Sequence, residues 1–238
     1  MKDVTLISMS KVYERESFCR PFINSENFID CSDIEGTNCY VDDGALSLLR
    51  HQIHNVDARG IHFIDSGNYH YLSYLFLEKI PREFELILID KHPDCKIPMF
   101  ESLMSCGGWV RTAFNELSNL KHVYMIGTDL ALCYELDDLK EYRDKVTLVS
   151  SYEEIKESNL PIYLSIDKDV LDESVVNTNW DQGVMKLEEL NKWINEIIKH
   201  RYLIGVDICG EADVGADDKV HEISAQINSG LLEKFMKD

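Results

Sequence analysis

Two aspartates and a histidine occupy alternating positions where an apolar segment ends. The segment LILIDKHPDCKIP spans residues 86–98 and contains Asp90, His92 and Asp94. Alternate side chains of an extended segment point the same way, so these three can face one pocket. Carboxylate oxygens and imidazole nitrogens that share a pocket are a ligand set for divalent cations. Taken alone, the motif has an alternative explanation as a loop stabilised by Asx turns.

Acidic residues and histidines also follow three other apolar segments. They are His70, Asp167, Asp169, Glu211 and Asp213. Ligands of open parallel α/β sheets bind outside the carboxyl ends of the strands, so we expect all these residues at one edge of a sheet. Considered singly, the Asp167–Asp169 pair is explained as a helix N-cap cluster and His70 as a core histidine. Their coincidence at one edge favours a site.

Clustered carboxylates create an electrostatic conflict that bound cations would remove. Carboxylates held close together repel, and an ionised group left unpaired in a low dielectric costs several kcal/mol. Hard oxygen donors with a minority of nitrogen donors suit manganese, or iron, cobalt or nickel, better than calcium. Six candidate ligands, with carboxylates able to bridge, are enough for two ions: His70, Asp90, His92, Asp94, Asp167 and Asp169.

Strand-like and helix-like patterns alternate along the chain. Apolar, β-branched runs predict strands at 4–8, 60–65, 84–90, 122–127, 146–150, 162–167 and 202–208. Helix-like patterns lie at 44–56, 70–80, 109–117, 130–143, 151–158, 186–200 and 222–236. Near-continuous apolar strands that alternate with helices predict an α/β fold with a parallel sheet covered on both faces. No repeat or linker divides the chain, so we expect one domain over residues 1–238.

The composition excludes several classes of function. The 238 residues carry a formal net charge of −19, whereas nucleic-acid binding needs clustered lysines and arginines. No apolar run is long enough to span a bilayer, and the first residues lack the core of a signal peptide, so we expect a cytoplasmic protein. The seven cysteines are scattered without a CxxC pair, which favours reduced thiols and gives no sign of a structural zinc site.

Several motifs resemble those of the arginase (ureohydrolase) superfamily, which includes arginase, agmatinase, guanidinobutyrase and formimidoylglutamase. DKHPD at 90–94 is similar to its DxHxD motif. SIDKDVLDES at 165–174 resembles its SxDxDxxDP motif, with Glu173 in place of the proline. GNYHY at 67–71 matches its GGDHS motif only at Gly67 and His70, and VYMIGTD resembles the segment between the two aspartate motifs. The resemblance extends from about residue 60 to Glu211 and fills all six ligand positions.

This resemblance implies a three-layer αβα fold with a central, mostly parallel sheet of about eight strands and a binuclear manganese centre. One ion would be held by His70, Asp90, Asp94 and Asp167. The other would be held by His92, Asp90, Asp167 and Asp169. A hydroxide between the ions would attack the carbon of a guanidinium or amidine, and Asp94 would take its proton. Family members are often trimers or hexamers, so a homo-oligomer is expected by analogy.

Two departures from the family concern catalytic residues. Cys106 stands within a residue of the place where family members often carry a proton-shuttling histidine. A thiol of lowered pKa could do this work, and simple packing is the alternative. The family's late motif has a glutamate three residues after an aspartate, but Glu211 follows Asp207 by four. A one-residue bulge at Gly210 would restore Glu211 as the acid that binds the guanidinium.

Four further residues are candidates for substrate binding: Trp109, Arg111, Trp180 and Asp181. The first two stand in the loop expected nearest the metals, where the arginine would pair with a carboxylate. The alternative is a packed aromatic and a surface charge. Trp180 and Asp181 would line the rim of the pocket, or simply form a turn. Residues 95–101 have little in common with the loop by which arginase holds an amino-acid head group, which disfavours arginine as substrate.

The sequence therefore favours a manganese-dependent hydrolase that cleaves a C–N bond in a small guanidino or amidino compound other than arginine. An amide hydrolase of the deacetylase type is a second hypothesis, because such enzymes share the fold. They use one zinc ion and usually a pair of adjacent histidines, and this chain has no HH pair. A third hypothesis is a non-catalytic relative that keeps the metals, supported by the departures at Cys106 and Glu211.

Overall fold

Every neighbouring pair of strands in the main sheet runs parallel. The computed structural model describes residues 3–98, 103–129, 131–132, 137–156 and 158–237. Its strands are β1 Val4–Ser8, β2 Phe28–Asp30, β3 Tyr40–Asp42, β4 Ile61–Phe63, β5 Phe84–Ile89, β6 Leu103–Ser105, β7 Leu120–Ile126, β8 Val146–Val149, β9 Ile162–Asp167 and β10 Leu203–Cys209. Eight of these form the main sheet in the order β2-β1-β4-β10-β9-β5-β7-β8, and β3 pairs with β6 in a separate antiparallel ribbon.

Helices cover both faces of the main sheet. The described α-helices are α1 Asp43–Gln52, α2 Leu72–Leu77, α3 Trp109–Glu116, α4 Leu187–His200 and α5 Asp218–Met236. Along β5, Leu86 and Leu88 pack in one core with α1, α2 and α3, whereas Ile87 and Ile89 pack in a second core with α4 and α5. The predicted three-layer αβα architecture is therefore confirmed. None of the helices in the described part of the chain is long and apolar enough to cross a membrane.

The predicted strands agree with the structure better than the predicted helices do. All seven expected strands are present, within two residues at either end. The eighth strand of the sheet, β2, escaped prediction because its three residues lie half-buried to exposed at the sheet edge. The helix expected over 130–143 is partly outside the described residues, as is Cys133, and Asp137–Lys145 forms a 3₁₀ helix. His70 precedes α2, directly after the 3₁₀ turn Gly67–Tyr69.

The register of the central strands aligns their carboxyl ends. Ile89 of β5 pairs with Ile166 of β9, and Cys209 of β10 pairs with Asp167 of β9. On the other side of β10, Ile208 pairs with Phe63 of β4. Because these strands are parallel, the residues that follow β4, β5 and β9 emerge together at one edge of the sheet.

A buried polar cluster fastens α5 beneath that edge. Lys168 and Glu211 are both fully buried, and Lys168 Nζ lies 2.6 Å from Glu211 Oε1. From α5, Ser224 Oγ lies 2.8 Å from Lys168 Nζ and also donates to Glu211, while Asn228 Nδ2 donates to Glu211 Oε1 at 2.8 Å and to Glu16 Oε2 at 3.0 Å. This cluster holds Lys168, and hence the flanking aspartates, against the helix layer.

We expect Gly205→Ala to destabilise the fold, because Gly205 of β10 lies against the backbone before β4. A Cβ at this position would lie 1.9 Å from the carbonyl oxygen of Ala58. Such overpacking should lower the free energy of unfolding by about 3 kcal/mol in a urea titration. Gly230→Ala in α5 is the matched control, since nothing lies within 4 Å of its added Cβ. The control should gain up to about 1 kcal/mol; equal stability of both variants would contradict this packing.

We also expect Glu16→Gln to change how stability depends on pH. Burial, and then the neighbouring charge of Glu211, raise the pKa of Glu16 far above its ordinary 4.5. The folded state thus keeps a proton that the unfolded chain releases above pH 4.5, so stability contributed by this group falls as pH rises towards the folded pKa. Glutamine has no such proton, so the variant should gain stability relative to wild type between about pH 5 and about pH 8.

Urea titrations at both pH values measure this difference. Glu14→Gln, an exposed site two residues away, is the control and should show a much smaller change. A Glu16→Gln variant whose stability relative to wild type is the same at both pH values would mean that Glu16 is ionised in the fold.

Candidate metal centre

His70 and three carboxylates form one group of potential ligand atoms at the sheet edge. His70 Nδ1 lies 3.0 Å from Asp94 Oδ2 and 3.3 Å from Asp90 Oδ2. It also lies 3.6 Å from Asp167 Oδ2. All four side chains are buried. The structure thus brings together the four residues that the resemblance assigned to one ion.

His92 forms the second group with Asp169 and with one oxygen of Asp90. Its Nδ1 lies 2.8 Å from Asp169 Oδ2 and 3.6 Å from Asp90 Oδ1. The two oxygens of Asp90 therefore face different histidines, and Asp90 lies between the two groups. This is the position that a bridging carboxylate requires.

Backbone hydrogen bonds orient the ligand carboxylates. The N–H of His92 donates to Asp90 Oδ1 at 2.6 Å, and the N–H of Asp169 donates to Asp167 Oδ1 at 2.8 Å. The first is the Asx turn considered above as an alternative to a ligand role. The two explanations are compatible, because the other oxygen of Asp90 faces His70. Asp94 has a positive φ of 47°, a left-handed conformation that aspartate tolerates better than most residues.

Each histidine is also held through the ring nitrogen that faces away from the cluster. His70 Nε2 lies 2.8 Å from Ser165 Oγ, and this hydroxyl donates its proton to Asp207 Oδ1 at 2.6 Å. Ser165 then accepts from His70 Nε2, so a neutral His70 ring would present its Nδ1 lone pair to a cation. His92 Nε2 lies 3.1 Å from Asp181 Oδ1. Ser165 was not singled out from the sequence, although it precedes Asp167 by two residues on the same side of β9.

A cavity of about 200 Å³ opens onto the cluster. Besides the six candidate ligands, the described residues that line it are Gly67, Pro93, Lys96, Cys106, Gly107, Leu132 and Trp180. The Trp180 indole donates to Asn68 Oδ1 at 2.9 Å and its ring centroid lies 5.9 Å from that of His92. Trp180 therefore lies where the sequence placed it, at the pocket wall. Lys96 was not predicted from the sequence as a site residue. It is the lysine among the described residues of the cavity wall.

The other three substrate-binding candidates are not among the described residues that line the cavity. Trp109 is fully buried and its indole donates to Asp94 Oδ2 at 2.7 Å, so it orients a ligand carboxylate instead. Arg111, two residues later in α3, pairs with Glu141 Oε2 at 2.9 Å. Asp181 contacts His92 and also Lys91 Nζ, at 2.5 Å. The described contacts of these three side chains are thus with other side chains of the protein, and Asp181 lies beside His92 at the rim.

Cys106 lines the cavity, but its surroundings favour a neutral thiol. The side chain is buried, and its backbone N–H donates to the carbonyl of Cys39 at 2.9 Å. Burial raises the pKa of the Cys106 thiol, and the negative charge of Asp94 raises it further. Of the two roles that the sequence left open, these conditions favour packing.

Glu211 points away from the cavity and pairs with Lys168 instead. Gly210, where the sequence predicted a bulge, has a φ of +89°, a left-handed conformation that favours glycine. A Cβ there would lie 2.4 Å from Asp167 Oδ1 and 2.7 Å from the backbone nitrogen of Lys168. The turn directs Glu211 towards Lys168 and α5 rather than towards the cluster.

The electrostatics of the cluster fit a bound cation. Burial, and then the charge of Asp90, raise the pKa of Asp94 to about 6; the same causes raise the pKa of Asp167. Burial lowers the pKa of His92, but Asp169 and Asp90 outweigh burial and raise it to about 11. Without a cation, the carboxylates thus depend on protons for charge compensation. Asp90 Oδ2 is buried and accepts no hydrogen bond from the described residues, so it is open to a metal ion.

Comparison with known proteins identifies relatives over most of the chain. A sequence model described as the Arginase family matches residues 6–213. A Thermotoga maritima protein, described as an uncharacterized protein, is 33% identical over 179 residues, which are 73% of this chain and 66% of that protein. This chain therefore spans just under two thirds of the relative's length.

Solved structures share the fold at low sequence identity. Proclavaminate amidino hydrolase from Streptomyces clavuligerus is 18% identical with a TM-score of 0.64, over 87% of this chain and 74% of that chain. Formimidoylglutamase from Bacillus subtilis is 14% identical with a TM-score of 0.66, over 98% of this chain and 87% of that chain. These likenesses concern the fold alone, whereas the family match extends over most of the sequence. The chain belongs to the arginase family.

Proposed function

We propose that this protein is a binuclear, manganese-dependent hydrolase that cleaves a C–N bond of a small guanidino or amidino compound other than arginine. The observation that carries the proposal is the position of Asp90, whose oxygens lie 3.3 Å from His70 Nδ1 and 3.6 Å from His92 Nδ1. A buried carboxylate between two such groups has a clear chemical use as a bridge between two cations. Family membership supports the same class of reaction.

Two sets of ligands would hold the ions. The first set is His70, Asp90, Asp94 and Asp167, and the second is His92, Asp90, Asp167 and Asp169. Oxygen donors outnumber nitrogen donors in both, which suits manganese and also iron, cobalt or nickel. When bound, the ions would lower the pKa of a water molecule enough to supply a nucleophile near neutral pH.

The chain's own side chains would position the substrate and handle the proton. The carboxylate of Asp94 would hold the proton, because it borders the cavity and Trp109 fixes its orientation from behind at 2.7 Å. Trp180 would offer an apolar face to the planar cationic group and exclude water from that side. We assign Cys106 to packing. Glu211 takes no part, since it is fully buried beside Lys168.

A non-catalytic metal-binding relative is the second candidate. The placement of Glu211 beneath the sheet edge favours it, because the cavity then lacks the acid that sequence analysis expected to bind the guanidinium. Both candidates require metal binding, and they differ in turnover. Manganese-loaded protein should release urea or ammonia from at least one guanidino or amidino compound, with arginine a poor substrate. Metal binding without release from any such compound would favour the second candidate, and efficient arginine hydrolysis would contradict the proposed substrate class.

We expect Asp90→Asn to weaken the binding of both ions, because Asp90 contributes an oxygen to each group. His70→Asn should weaken mainly one ion, and Asp169→Asn mainly the other. Calorimetric titration with manganese and measurement of the metal content per chain test these effects. We expect the affinity to fall about tenfold or more for each lost contact. Two ions bound to Asp90→Asn with wild-type affinity would contradict the bridging assignment.

Lys96 should select substrates by the charge of the end remote from the guanidino group. Its side chain passes Gly107 in the cavity wall, and it makes no ion pair with the described residues. Lys96→Met should therefore raise KM about tenfold for a guanidino carboxylate, through loss of one charge-assisted contact. KM for the guanidino amine of equal length should stay the same or fall, because a repulsion is removed.

Steady-state kinetics with the two compounds test this expectation. Lys121→Met, which removes an exposed lysine paired with Glu83 at 3.1 Å, is the control for net charge. If Lys96→Met changed KM equally for both compounds, Lys96 would not select substrates by charge.

A further inference from the structure

A third group of potential ligand atoms lies at the same edge and contains a cysteine. His70, Asp167 and Cys209 each offer an atom, and these atoms lie within 4.8 Å of one another. Cys209 is fully buried, and its Sγ lies 3.1 Å from Asp167 Oδ2. Asp90 Oδ2 is buried and accepts no hydrogen bond from the described residues. It lies 3.3 Å from His70 Nδ1. The thiol therefore lies beside two candidate ligands, in a carboxylate cluster that lacks a cation.

The backbone holds Cys209 rigidly in this place. It is the last residue of β10 and pairs directly with Asp167, the last residue of β9. Two residues earlier on the same face of the strand, Asp207 accepts from the Ser165 hydroxyl that holds His70. Gly210 then turns the chain away from the edge. The sulfur is thus presented by the centre of the sheet rather than by a loop.

We propose that Cys209 is a sulfur ligand to the ion held by His70 and Asp167, and that it shifts this site from manganese towards softer ions such as zinc and cobalt. The inference rests on the proposed two-ion centre. A thiolate is a softer donor than a carboxylate, and soft donors favour zinc and its neighbours over manganese. Binding would release the thiol proton to solvent as the sulfur–metal bond forms. The second group, around His92 and Asp169, has no sulfur among its members, so the two sites would differ in preference.

The alternative is that the Cys209 thiol only donates a hydrogen bond to Asp167 and orients it. The two arrangements differ in a direct property of the metal. A ligated ion has a sulfur neighbour at about 2.3 Å for zinc, whereas an orienting thiol leaves oxygen and nitrogen neighbours alone.

X-ray absorption at the zinc edge of the full-length, zinc-loaded protein tests the proposal. We expect a sulfur neighbour in wild type and in Cys106→Ser, which removes a cavity-lining thiol outside the proposed ligand set. Cys209→Ser should lose this neighbour, and its affinity for zinc relative to manganese should fall about tenfold or more. A wild-type spectrum that shows oxygen and nitrogen neighbours but no sulfur would overturn the proposal. This outcome decides the matter even if Cys209→Ser fails to fold.

Zinc-edge absorption and the assay of urea or ammonia release together distinguish failure of this proposal from failure of the proposed function. Suppose that the manganese-loaded protein releases urea or ammonia but bound zinc has no sulfur neighbour. This result would overturn the role of Cys209 and leave the proposed hydrolase standing. A zinc–sulfur neighbour in a protein that hydrolyses no guanidino or amidino compound would support Cys209 and overturn the proposed hydrolase.

Discussion

Mutual repulsion among four buried aspartates is the constraint on which the rest of the site depends. Asp90, Asp94, Asp167 and Asp169 converge at the carboxyl edge of the sheet, where water cannot screen them. Asp169 and Asp90 raise the pKa of His92 to about 11 against the opposing effect of burial. Protons or cations must compensate such a cluster. Two divalent ions do this while leaving both histidines neutral, which is the form that binds metals.

The fold resists this repulsion by fixing three of these carboxylates with hydrogen bonds. Backbone N–H groups of His92 and Asp169 orient Asp90 and Asp167, and the Trp109 indole orients Asp94. On the opposite side of the β9 terminus, Lys168 is tied to Glu211 and through it to α5. One short segment thus supplies ligands to the cavity and an anchor to the helix layer. This division explains why Glu211, although acidic and close in sequence to the sheet edge, serves the fold.

The cavity that results differs from the one that the motifs alone suggested. Its described wall includes the expected Trp180 and also Lys96, but not Glu211, Trp109 or Arg111, which the sequence suggested. A wall cation beside the proposed metal centre would favour substrates whose remote end is neutral or negative. Cys209 adds a soft donor next to an otherwise hard ligand set, which would make the two halves of the centre chemically unequal.

The sequence by itself determined the strands, the three-layer architecture and the six metal-ligand candidates. It could do so because strand burial and the alternation of Asp90, His92 and Asp94 are local patterns, read within one segment. The short edge strand β2 lacked such a pattern. The partners of Trp109, Arg111, Glu211 and Cys209 are contacts between segments distant along the chain, so only the tertiary structure decided them. A positive φ at Gly210 turned Glu211 towards Lys168, and the pairing of β9 with β10 set Cys209 beside Asp167. Sequence spacing does not fix either of these directions, because both depend on which strand packs beside which.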